Sequence, residues 1–187
     1  MKITKKFKPG QVLDRFEVKG KKVVFRTIRL SDVEGITRSI NSLIGEKAYI
    51  LLQKKVSKKS EIEWVKNKIK ELKENNKILV IAEVDGKIAG SAEVWRWLTA
   101  SKHVSEIGIG LSIHRGIGLG TRMLILLEMI ARKNFKSKLM IIKYIEGNKI
   151  ALGLYKKRGF VETGRFPKTI NHYGKYVDEV ILSKELK

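Results

Sequence analysis

Ile107-Gly-Ile-Gly-Leu-Ser-Ile113-His-Arg115-Gly-Ile-Gly118-Leu-Gly120-Thr-Arg-Met123-Leu-Ile-Leu-Leu127 is the stretch on which the reading of this chain turns. An apolar run, Ile107 to Ile113, feeds a glycine-rich turn that opens straight into a second apolar segment. Such a strand–turn–helix leaves bare N–H groups at a helix start, a ready site for phosphate oxygens. Glycine has no Cβ to hold a ligand off the backbone. Two common phosphate-binding patterns fail here. The dinucleotide fingerprint G-x-G-x-x-G breaks at Ile113 when counted from Gly108 and at Thr121 when counted from Gly116. The P-loop G-x-x-x-x-G-K-[ST] finds no Gly-Lys pair with the required neighbours. What remains is R-x-x-G-x-G, with Arg115, Gly118 and Gly120 in place.

One strand's length further on lies Asn148-Lys-Ile-Ala151-Leu-Gly-Leu154-Tyr155-Lys-Lys-Arg-Gly159-Phe160. Asn148 suits a helix cap, Ala151 and Leu154 share a helical stripe, and Gly159 suits the left-handed turn that ends a helix. Core packing alone does not ask for a tyrosine beside Leu154. The two segments, in this order, resemble the signatures of the GCN5-related N-acetyltransferases, the GNAT superfamily; the second matches N-x-x-A-x-x-L-Y-x-x-x-G-F at every fixed position. The resemblance covers about residues 23 to 183.

That resemblance implies an α/β fold: a mixed, mostly antiparallel sheet with helices on both faces, splayed beside the cofactor loop to admit a pantetheine arm. It implies acetyl-CoA as cosubstrate, with the amides of Gly116, Gly118, Leu119, Gly120 and Thr121 on its pyrophosphate. Arg115 adds charge or flanks the loop, Leu111 and Ile113 offer backbone to the pantetheine amides, and Asn148 is a further contact. It implies direct transfer of acetyl to an amine, with Tyr155 as the acid for the departing thiolate and Glu106 as the base. A phenol of reference pKa about 10 is neutral at pH 7 and suited to that proton transfer. Partial burial of Glu106 would suit a base, whereas the alternative is an ion pair on the sheet. Glu46 and Glu83 are weaker candidates. His103, His114 and His172 have no metal-ligand spacing, so no metal is expected.

Composition narrows the rest. The chain has 187 residues and no cysteine, which removes disulfides, thiolate metal sites and a cysteine nucleophile. No apolar run reaches membrane-span length, and the basic N-terminus lacks a signal peptide's apolar core, so a cytoplasmic protein is expected. Lys and Arg number 40 against 19 Asp and Glu, a net charge of +21. Such a field draws anions and holds nucleic acid loosely, although a Lys- and Ile-rich composition of thermophilic type gives the same count. The alternative function is therefore a basic module that binds RNA, ribosome or protein, with acetyl-CoA as a mere ligand. Its lysine clusters lack interleaved aromatics except near Tyr173 and Tyr176, which argues against sequence-specific RNA reading.

The order of elements is read as follows. Residues 1–22 form a basic extension with a hairpin strand, and 23–187 the acetyltransferase domain. Val12 to Val18 and Val23 to Ile28 are strands. Capping boxes at Ser31-Asp-Val-Glu34 and Ser60-Glu-Ile-Glu63 start two helices. Between them Gly45 to Lys59, a basic segment around Tyr49-Ile-Leu-Leu52, suits a substrate-facing lid or a surface helix, and the resemblance implies that the acceptor pocket comes from it and from Phe166 to Tyr176. Ile78 to Val84 and Lys87 to Trp97 flank the Asp85-Gly86 hairpin turn, and His103 to Ile113 is the next strand. The phosphate-loop helix runs from Gly118 to Lys133. Lys138 to Ile145 is a strand before the Asn148 helix, and Phe160 to Phe166 pairs with Tyr176 to Leu182. The acceptor is not specified: a protein N-terminus, a lysine and a small amine all fit.

Overall fold

The structure is a computed structural model that describes residues 6–114 and 116–186. Eight strands form one open sheet: β1 (Val12–Val18), β2 (Lys21–Thr27), β3 (Lys77–Val84), β4 (Lys87–Arg96), β5 (Val104–Leu111), β6 (Leu139–Ile145), β7 (Val161–His172) and β8 (Lys175–Glu185). Their spatial order is β1-β2-β3-β4-β5-β6-β8-β7, antiparallel at every junction except β5–β6. Four helices complete the fold: α1 (Val33–Gly45), α2 (Lys58–Glu74), α3 (Leu119–Lys133) and α4 (Lys149–Lys157). Among the described residues no helix is long and apolar enough to cross a membrane.

Alternation along β3 shows why the sheet is covered on both faces. Ile78, Val80, Ala82 and Val84 join the core beneath α3 and α4, while Leu79 and Ile81 join a second cluster with Val33 and Ile36 of α1 and Val65 of α2. A strand buried on both sides reads as a continuous apolar run, which is what residues 78–82 are. Helix α3 is the most deeply placed: Leu119, Met123, Leu124, Leu126, Leu127, Ile130 and Ala131 are all buried. Each large side chain there contributes about 1.5–3 kcal/mol of transfer free energy.

Both expected capping boxes are displaced. Ser31 does not cap α1. Asp32 is drawn instead into a buried bidentate pair with Arg26 of β2, both contacts 2.7 Å, and it accepts from the Arg29 N–H. Helix α2 begins three residues earlier than the Ser60 reading places it, because Ser57 and Ser60 satisfy each other's backbone N–H reciprocally. Residues 46–57 form neither a strand nor a helix, which removes the surface-helix option for that segment. The closing hairpin is longer than the sequence suggests. Strands β7 and β8 continue to a tight turn at Tyr173-Gly174, both at positive φ (52° and 93°), with a bulge between Phe166 and Ile170.

Two irregularities position the site. The β5–β6 ladder runs only from Val104↔Leu139 to Ile107↔Ile142, whereas β5 stays paired with β4 as far as Leu111↔Gly90. The sheet therefore opens beyond Ile107. On β4 the register shifts opposite Ala82/Glu83, and Gly90 sits at φ +151°. A Cβ at Gly90 would lie 2.2 Å from the Gly110 carbonyl oxygen, a separation that no side chain tolerates.

Candidate active site

The phosphate loop hangs from one carbonyl. The bulge at β4 turns the Ala89 oxygen toward the end of β5, where it accepts the Ser112 N–H (2.9 Å), the Ile113 N–H (3.4 Å) and the Ser112 hydroxyl (3.1 Å). The Ser112 and Ser39 hydroxyls are 2.8 Å apart, which ties the loop to α1. Three positive-φ residues then reverse the chain: His114 (55°), Gly116 (80°) and Gly118 (90°). Nothing lies within 4 Å of where a Cβ would stand on Gly116 or Gly118. Gly118 is the N-cap of α3, and the Arg122 N–H makes the first bond back to its carbonyl (3.1 Å). The N–H groups of Leu119, Gly120 and Thr121 therefore precede the helical ladder and have no acceptor within it. With the positive end of the helix dipole behind them, they present an anion cradle.

The opening between β5 and β6 is a cavity of about 920 Å³. One wall is this loop and the backbone of Ile109, Gly110 and Leu111; another is α4 with Asn148, Ala151, Leu154 and Tyr155. Leu111, Gly116, Gly118, Leu119, Gly120, Thr121, Asn148 and Tyr155 thus converge on one space. Ile113 does not join them: its N–H is directed at Ala89 and it is absent from the lining. Arg115 lies outside the described residues. Asn148 caps α4, its Oδ1 accepting from the Ala151 N–H at 3.1 Å, so its role toward a ligand falls to its amide NH₂. Gly120 is an α3–α4 contact as well, since a Cβ there would be 3.2 Å from Leu154.

Tyr155 is buried between Tyr144 and Phe160, ring centroids 6.4 and 6.1 Å away, in the wall of the cavity. Burial pushes its hydroxyl above the ordinary tyrosine value. It is consequently a neutral proton donor throughout the physiological range.

Glu106 lies on β5 outside the cavity lining. Its carboxylate accepts from the Trp97 indole N–H (3.1 Å) and faces the Lys143 ammonium (3.7 Å). Glu106, Gly108 and Gly110 share the face of β5 turned toward α1, where Gly110 meets Leu43. A Cβ on Gly108 would meet nothing within 4 Å, so the β5 backbone between Glu106 and Gly110 is open on that face. Glu46 lines the cavity and is hydrogen-bonded to Ser42 (3.1 Å). Glu83 is spent on Arg26 (2.9 and 3.1 Å).

The far wall comes from the segment whose form the sequence leaves open. Leu43, Glu46, Lys47, Ala48, Tyr49 and Ile50 line it. The segment after α1 docks on the β7–β8 turn: the Tyr173 hydroxyl donates to the Ile44 carbonyl (3.2 Å), His172 Nε2 donates to the Ala48 carbonyl (3.3 Å), and the Tyr49 ring stacks on His172 at 4.7 Å. Gln53 adds a hydrogen bond to the Asn171 carbonyl. Tyr49 lies directly over Gly147, where a Cβ would be 2.9 Å from its hydroxyl. The contacts with the β7–β8 turn join residues more than a hundred positions apart, and only the Tyr173-Gly174 turn leaves a local trace.

The architecture is thus an open sheet split beside a glycine loop at a helix start, with a buried tyrosine in a second wall of the cavity. The profile described as the acetyltransferase (GNAT) family matches residues 46–160, and the chain belongs to that family. L-methionine sulfoximine/L-methionine sulfone acetyltransferase of Pseudomonas aeruginosa is 24% identical over 165 residues, covering 86% of this chain and 93% of the relative. Among solved structures, ribosomal-protein-S5-alanine acetyltransferase from Vibrio fischeri superposes with a TM-score of 0.79 at 19% identity, over 93% of this chain and 97% of that one. The yncA protein from Salmonella typhimurium, solved with its cofactor acetyl-CoA, gives a TM-score of 0.74 at 21% identity, over 88% and 94%.

Proposed function

We propose that this acetyltransferase takes acetyl-CoA as donor and passes the acetyl group directly to a primary amine. The observation that carries this reading is the convergence of the N–H cradle at residues 116–121 and the Tyr155 side chain on one cavity at the sheet opening. The residues fit the donor. The cradle accepts a diphosphate, the β5 backbone at Leu111 runs along the gap for an amide-bearing arm, and the width of the opening is set by the early end of the β5–β6 ladder. The P. aeruginosa relative is named for an amino-acid analogue and the V. fischeri neighbour for the alanine of a ribosomal protein, which supports an amine as acceptor.

The chain's own residues divide the chemistry. Tyr155 donates its proton to the sulfur as the thioester bond breaks; the apolar surroundings that raise the phenol also raise the basicity of a thiolate formed beside it. Glu106, oriented by Trp97 and Lys143, receives the amine's proton through water in the open space over Gly108. How much that base matters depends on the acceptor. An α-amine titrates near 8 and a lysine amine near 10.4, so neutralising the latter at pH 7 costs about 4–5 kcal/mol against about 1. No cysteine is available for an acyl-enzyme, and direct attack is the simpler course. The +21 charge also favours loose association with nucleic acid or ribosome at low salt.

Acetyl-CoA consumption by the purified chain, screened over peptides, polyamines and amino acids with product mass read for each, tests the reading. Transfer to at least one amine class is expected. Binding of CoA without transfer to any of them would leave only a binding module.

A further inference from the structure

The wall opposite the cofactor loop differs in charge from the rest of the surface. Across residues 45–59 and 166–176 the sequence has seven lysines (47, 54, 55, 58, 59, 168 and 175) and a single acid, Glu46. That is a net +6 over 26 residues, against +15 over the other 161, where some lysines reach carboxylates, Lys68 to Glu93 at 2.7 Å and Lys184 to Glu128 at 2.9 Å. Here, among the described residues, Lys47, Lys54, Lys55, Lys59 and Lys175 form no ion pair. Lys47 lies over the Tyr173 ring at 5.6 Å. Apolar side chains are exposed in the same place: Leu51 at 67%, Leu52 at 49% and Tyr176 at 65%. Their proximity follows from the fold. Gln53 bonds the carbonyl of Asn171, which is the cross-strand partner of Tyr176. The preceding residues, Ala48, Tyr49 and Ile50, line the cavity. A rim of uncompensated lysines and exposed apolar groups therefore begins where the acceptor's entrance ends.

On the acetyl-transfer reading above, we propose that the acceptor is the N-terminal α-amine of an acidic polypeptide. Its first residue enters past Glu46 and Tyr49. The residues that follow lie outside, their carboxylates on Lys54, Lys55 and Lys175 and their apolar side chains on Leu51, Leu52 and Tyr176. A free small amine has nothing to place on that rim. An α-amine also suits a site whose base acts through water. About one α-amine in ten is neutral at pH 7, against about one lysine amine in 2,500. Uncompensated rim charge acts chiefly on encounter and specificity, so the effect belongs in kcat/KM for peptide.

The test uses the full chain, acetyl-CoA and three decapeptides that differ only in carrying Glu, Gln or Lys at positions 3, 5 and 6, with ethanolamine as the small acceptor. The Glu peptide is expected to exceed the Gln peptide in kcat/KM by about tenfold, with the advantage shrinking in 0.5 M salt. Lys54→Glu with Lys55→Glu, and separately Lys175→Glu, should remove most of that advantage. Both should leave KM for acetyl-CoA and turnover of ethanolamine unchanged. Equal kcat/KM for the three peptides, with ethanolamine turned over, overturns this inference and leaves acetyl transfer standing. Tight, salt-sensitive binding of oligouridylate that the same variants abolish, with flat peptide preference, also overturns it and gives the rim to nucleic acid. Absence of transfer to every acceptor removes the acetyl-transfer reading itself, and this inference with it.

Discussion

The two walls of the cavity are made by different means. The cofactor wall is backbone: glycines at positive φ, N–H groups at a helix start, and one carbonyl that holds the loop through Ser112 and Ile113. The acceptor wall is side chain: a tyrosine stacked on a histidine, a hydroxyl and an imidazole on two carbonyls, and a glutamine on a third. A backbone-built wall serves a ligand that does not vary. A wall built from side chains can be refitted by substitution without touching the fold, so specificity belongs there.

That division can be broken at four places. The largest effect is expected from Gly90→Val, which forces a Cβ against the Gly110 carbonyl. Stability should fall by about 3 kcal/mol or more, and acetyl-CoA protection in a thermal-shift assay should vanish. An unchanged melting temperature would mean that the bulge does not hold the loop. Tyr155→Phe keeps the ring and removes only the hydroxyl. A loss of about a hundredfold in kcat with KM for acetyl-CoA within twofold is expected from steady-state kinetics, and normal turnover would remove Tyr155 from the chemistry. Glu106→Gln retains the Trp97 contact but cannot take a proton. It should cost about tenfold in kcat on a lysine-like amine and much less on an α-amine at pH 7; an equal effect on both would contradict the water-relayed role. Tyr49→Ala unstacks His172, a contact worth about 1 kcal/mol. It should raise KM for the amine by about fivefold and leave KM for acetyl-CoA alone. If both KM values rise together, the walls are not separable.

Legibility followed the same line. Arg115-Gly-Ile-Gly118-Leu-Gly120 and the Asn148 to Phe160 segment announce their wall because a backbone made for a ligand demands glycine at set positions, and the family and the sheet opening followed from them. The helix starts were misread for tertiary reasons. Asp32 was claimed by Arg26, six residues back on another strand, and Ser60 answers Ser57 with the three-residue spacing that made it look like a cap itself. A lone Gly90 inside a strand pattern is a bulge signal, and the bulge is there. Residues 46–57 had no period to detect. Their form is dictated by Tyr173, His172 and Asn171, which no local rule connects to them.

The early end of the β5–β6 ladder bears on mechanics. The strand ladder that joins the half made of β1 to β5 with the half made of β6 to β8 has only four residue pairs among the described residues. Away from that seam the halves are bridged by side chains, with Glu128 of α3 reaching Arg158 and Lys184 on one face and Glu106 reaching Lys143 on the other. A molecule lodged in the cleft therefore acts as a strut between two leaves of a book. On the acetyl-transfer reading, donor binding is expected to stiffen the spine and product departure to let it flex.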